Sequence, residues 1–227
     1  MAFFSLIGNT QERLSLQFNL TQSNNNYTFS DLFPEQTTFE SPIILATNDQ
    51  YGVSARKSKE NGRFYEILLA STIYRRTVEH LRPVSILEDN RILTSTNFDL
   101  HLRLEIGNSL TFPSLPNLYF GLSASLDPRL AFRDYDNHQS SFFPFNTMSF
   151  EASVLLNPQI EYSINDRIIF LLKMPLQVFT LNSLFVERLD PNLARGDQRF
   201  NKQFIDLLHL SPTYTIGVGY YLSHENR

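Results

Sequence analysis

The residues best suited to chemistry stand close together on one segment. His101, Arg103 and Glu105 occupy every second position, and Asp99 precedes them by two. Extended backbone sends residues i and i+2 to the same side, so an imidazole, a guanidinium and two carboxylates would share one face. Such a set can act as a general acid–base cluster. Ser211 or His209, brought in from another segment, could join it. The rival reading is structural. Charges that face a closed interior must be paired, and this spacing also describes an ion-paired plug.

The rest of the sequence narrows the chemistry further. There are no cysteines, which removes disulfides, thiolate nucleophiles and thiolate zinc sites. The five histidines, His80, His101, His138, His209 and His224, have no metal-ligand spacing. No nucleotide-binding glycine motif and no serine-hydrolase elbow is present. The reading therefore assigns no catalytic residue, no metal site and no cofactor, and the protein is read as a non-enzyme. A formal charge of −4 argues against a nucleic-acid partner. Arg195-Gly196-Asp197 spells an adhesion tripeptide, a match too short to argue from.

The elements that must position these residues follow from a period of two. From Asn97 to Gly107, Phe98, Leu100, Leu102, Leu104 and Ile106 alternate with polar side chains. This is the pattern of a strand with one apolar and one polar face. The same beat recurs, and eight strands are predicted in about 12–20, 42–57, 63–78, 91–107, 117–135, 147–163, 167–186 and 204–222. No run of about 18 apolar residues is present to form a membrane helix. The polar faces carry Arg56, Glu66, Asp99, Arg103, Glu105, Glu151, Glu161 and Lys173. Positive and negative charges nearly balance there, and with His101 they form the candidate luminal network. Pro128, Pro158, Pro175 and Pro212 fall inside these strands, which requires bulges or shorter strands.

The links alternate in length. Long links at 21–41, 79–90, 136–146 and 187–203 interleave with shorter ones at 58–62, 108–116 and 164–166. In an up-and-down barrel the long loops then gather at one end, with both termini at the other. The whole pattern resembles the small bacterial outer-membrane β-barrels of the OmpA/OmpX type. The strand Tyr214–Leu222 is similar to their C-terminal assembly signal, although Ser223–Arg227 follow it. The resemblance implies a single antiparallel transmembrane barrel over 1–227 of about eight strands, or ten if 21–41 hides a further pair. It implies an outer-membrane location and lipid as a partner, with other outer-membrane proteins as candidate partners. The opening Met1–Gly8 is no secretory signal: read literally that gives a cytoplasmic protein, and the outer-membrane location implies instead that a signal was removed. The phenylalanine- and asparagine-rich composition suits a Bacteroidota-like source.

Function stays divided at this point. A side-chain-filled barrel would be structural or an accessory subunit of an envelope complex. Some small outer-membrane barrels instead modify lipid A, and a narrow channel or small-ligand carrier is a third class. A soluble all-β binding or capsid-like module would carry the same period with its faces reversed. The loop aromatics, Tyr135, Phe142, Phe143 and Phe145 among them, read as an interfacial girdle.

Overall fold

The computed structural model describes residues 13–28, 43–81, 91–136, 143–208 and 213–222. Among these residues there is no helix. Ten strand segments run β1 (Arg13–Thr28), β2 (Ile43–Ser58), β3 (Arg63–Leu81), β4 (Arg91–Phe112) and β5 (Leu115–Asp136), followed by β6 (Phe145–Ser163), β7 (Ile168–Lys173), β8 (Leu176–Arg188), β9 (Arg199–Leu207) and β10 (Tyr214–Tyr221). All pairings are antiparallel. The ring closes through β1 to β7 and then β10, because β10 pairs with both β7 and β1. It is a closed eight-stranded barrel. β8 and β9 continue the lines of β7 and β10 as a hairpin that stays attached to β6.

The registers also fix the slant of the strands. Followed one way round the wall, Leu20 aligns with Tyr51, Ser71, Leu100, Leu130 and Phe150. Followed the other way, it aligns with Ile216, Leu172 and Ile160. The two routes reach β6 ten residues apart, and that offset is the shear. Eight strands with this stagger tilt by about 40° and leave an interior just wide enough for side chains to fill.

The burial pattern is inverted relative to a soluble barrel. Leu14, Leu16, Phe18 and Leu20 on β1 point outward and are exposed, as are Phe98, Leu100, Leu102, Leu104 and Ile106 on β4. The buried side chains are largely polar: Gln17, Asn19, Ser54, Asp99, Arg103, Ser125, Asn157 and Lys173 are examples. An apolar outside and a polar inside is the dressing of a barrel that spans a membrane, where lipid meets the outer wall.

Several expectations are refined. The 108–116 link is the two-residue turn Pro113–Ser114, because β4 and β5 extend further than their alternation indicated. At Pro128 the β4–β5 ladder is interrupted between His101↔Arg129 and Leu104↔Leu126, as a residue without a donor requires, while the β5–β6 pairing continues through Pro128↔Ala152. Pro158 meets the junction of β7 and β8, where Met174 N donates to its carbonyl at 3.0 Å. Pro175 ends β7 outright. Just beyond it Val178 is skipped between Leu155↔Gln177 and Val154↔Phe179, a bulge that reverses the phase. Phe179, Leu181 and Phe185 therefore face outward, while Thr180, Asn182 and Leu184 face inward. The strand predicted over 167–186 is thus two segments, with both the break and the bulge that a proline at 175 required. Pro212 lies outside the described residues.

Candidate functional site inside the barrel

The interior is a ladder of paired charges that climbs from the tight turns toward the long loops. Nearest the turns, Arg56 of β2 donates through Nη2 to Glu161 Oε1 of β6 at 2.8 Å and to Ser109 Oγ of β4 at 3.2 Å. The Arg56 guanidinium also stacks on the Phe64 ring, 3.6 Å from its centroid. Gln159 and Ser109 donate to the same Glu161 oxygen at 2.9 and 3.0 Å.

The middle rung is centred on Lys173 of β7. Its ammonium donates to Glu66 Oε2 of β3 at 2.8 Å and to both Glu105 oxygens of β4, at 3.0 and 2.9 Å. Ser123 of β5 adds a 2.6 Å bond to Glu105. The lysine is 1% exposed, so no competing solvent shell weakens these contacts. Ile169 and Leu171 of β7 and Leu68 of β3 are also buried and supply apolar packing, so the inward face of β7 is only partly polar.

The upper rungs belong to β4 and β5. Arg103 donates to Asp127 Oδ2 at 3.2 Å. His101 Nε2 meets the other carboxylate oxygen of Asp127, and its Nδ1 meets Gln50 Oε1 of β2 at 3.1 Å. Arg129 donates to Asp99 at 2.7 Å. Above them Glu151 is half-buried and accepts from Ser153 at 3.0 Å. At the long-loop end the Tyr135 and Phe145 rings stack at 4.3 Å, both almost fully buried. They face inward and are not girdle residues.

The nine sequence-chosen residues thus all lie on the inward face. Eight are buried and joined by side-chain bonds to residues on other strands. Sequence reading missed Asp127, Arg129 and Gln50. Asp127 and Arg129 keep the inward phase of β5, but Pro128 between them obscured it.

The chemistry open to this arrangement is limited. Both ring nitrogens of His101 are occupied, one by an amide oxygen and one by a carboxylate. No hydroxyl bonds to it among the described residues, so a Ser/His/acid set is not assembled there. His209 and Ser211 lie outside the described residues. Among the described residues no cluster of histidines and carboxylates is arranged to hold a metal ion.

Comparison with known structures agrees with the inverted burial. The outer membrane protein OprG from Pseudomonas aeruginosa superposes with a TM-score of 0.57 over 94% of this chain and 96% of its own, at 14% identity. This protein has the fold of a small outer-membrane β-barrel. The attachment invasion locus protein Ail of Yersinia pestis matches with a TM-score of 0.45 at 10% identity, over 93% of this chain and 99% of its own. Neisserial surface protein A matches at 0.38 and 8% identity, over 91% of this chain and 96% of its own. No protein-family model matches the sequence, and no curated protein is similar to it. The barrel is an integral membrane protein of the outer-membrane type, anchored by the apolar wall described above.

Proposed function

We propose that the barrel is a plugged outer-membrane protein, structural or accessory within an envelope complex, and neither a pore nor a carrier. The observation that supports this most is the Lys173 rung. One ammonium bonded to carboxylates from two other strands spans the lumen at mid-height. The Arg56–Glu161 pair crosses the lumen below it, and Arg103–Asp127 joins the neighbouring strands β4 and β5 above it. The Lys173 and Arg56 links join strands from opposite sides of the ring, and in a low-dielectric interior each holds firmly once formed. On this reading function moves to the surfaces, above all the outer wall. Such surfaces suit contact with other outer-membrane proteins.

Planar-bilayer recording tests the plug. Refolded protein inserted into a bilayer should give no steady open level. A stable ohmic conductance in the unmodified protein would overturn the reading. Co-purification from native membranes in mild detergent tests the accessory role. A defined partner supports it, and a barrel recovered alone counts against it.

A further inference from the structure

The outer wall carries a groove that the luminal network does not use. It lies high on β5, β6, β8 and β9, beside the loop that joins β8 to β9, with a volume of about 520 Å³. Two cross-strand rows build it. The lower row runs Phe132–Met148–Phe185, register neighbours on adjoining strands. Each points outward and is about two-fifths exposed. The upper row, nearer the loops, runs Asn146–Glu187–Arg199, also register neighbours. Asn201 stands beside Phe185 at the end of the lower row.

An apolar floor under a polar, ionised rim is the profile of an amphiphile held at the edge of the hydrocarbon layer. The floor continues downward into Phe150 and Leu181, which belong to the same exposed apolar wall. The lining carries one cation, Arg199, and one anion, Glu187, and the exposed Asp134 continues the upper row beyond Asn146. Arg199 Nε and Nη2 both donate to the single oxygen Oε1 of Glu187, so Nη1 and Oε2 take no part in that bond. The Arg199 side chain is 77% exposed and the Glu187 side chain 41%. A pair this open to water contributes little to stability and opens readily to a competing head group.

We propose that this groove is a binding site for a zwitterionic phospholipid. An acyl chain lies along Phe132, Met148 and Phe185. The phosphate takes Nη1 of Arg199, and the ammonium takes Oε2 of Glu187. Asn146 and Asn201 supply neutral amide groups at the rim. A head group with negative charge alone would meet the Glu187 carboxylate unpaired, which is why a phosphate with an attached ammonium fits better. The inference rests on the reading that the outer wall faces lipid.

Native mass spectrometry of the detergent-purified barrel tests it, with phosphatidylethanolamine, phosphatidylglycerol and lipid A offered at equal concentration. Adding or removing one charge-assisted hydrogen bond changes retention about tenfold. The unmodified protein should keep one phosphatidylethanolamine with about that preference. Glu187→Lys should transfer the preference to phosphatidylglycerol. The exchanged pair Glu187→Arg with Arg199→Glu should restore phosphatidylethanolamine. Equal retention of all three lipids overturns the site, as does a preference for lipid A or phosphatidylglycerol in the unmodified protein. A Glu187→Lys variant that still prefers phosphatidylethanolamine also overturns it. Each sample is first checked for the gel shift of a folded barrel. An unmodified protein without that shift would strike the membrane reading itself and not this groove.

Discussion

At the residue scale, the interior is held by charges that are costly to bury and more costly to orphan. Lys173 is the clearest case. Lys173→Met would leave Glu66 and Glu105 facing one another with no cation between them. Breaking a buried pair from one side typically costs about 3–5 kcal/mol. The variant should therefore unfold from lipid vesicles at a much lower denaturant midpoint. Adding Glu66→Gln and Glu105→Gln to it should recover most of the loss, because the stranded charges are then gone. A Lys173→Met barrel as stable as the unmodified one would show that the middle rung is solvated. Most of this network was legible, because period two places Arg56, Glu66, Glu105, Glu161 and Lys173 on polar faces. Which carboxylate meets which cation was not legible, since that depends on a ten-residue shear accumulated around the ring.

At the element scale, glycine and proline mark where the wall departs from regular strand. Gly107 on β4 points inward opposite Phe64. A Cβ there would fall 2.5 Å from the Phe64 ring and 2.5 Å from Ser123 Cβ. Gly107→Val should thus push Phe64 off Arg56 and cost about 1–3 kcal/mol by overpacking. Gly196 is the control. It sits in the loop after β8 with no atom within 4 Å of its would-be Cβ, so Gly196→Ala should leave stability unchanged. Thermal gel-shift midpoints separate the two, and equal midpoints would argue against tight packing at Phe64. Strand number and the interleaving of long and short links were legible because they follow from period and polarity. The phase reversal at Val178 was not. One bulged residue beyond Pro175 moves every later side chain of β8 to the opposite face, and Leu176-Gln177-Val178-Phe179 does not show which residue is skipped.

At the scale of the whole molecule, one period-two sequence fits two opposite solutions, an oily core in water or an oily wall in lipid. Composition does not separate them, since mean hydropathy is only −0.22 when every second residue is polar. The closed ring decides. The polar, charge-balanced face points into it and fills the space with its own bonds, while the apolar face points out. The large residues left outside then form a continuous lipid-facing wall. The absence of cysteine permits a direct test by site-directed spin labelling at introduced cysteines. Leu102, Leu104 and Leu126 are replaced singly on the wall, and Gly196 is replaced in the loop as an aqueous reference. In reconstituted vesicles, labels at the three wall positions should be relaxed by oxygen dissolved in the bilayer and untouched by an aqueous nickel chelate, while the Gly196 label responds to the chelate. Chelate access at Leu102, Leu104 and Leu126 equal to that at Gly196 would contradict the account.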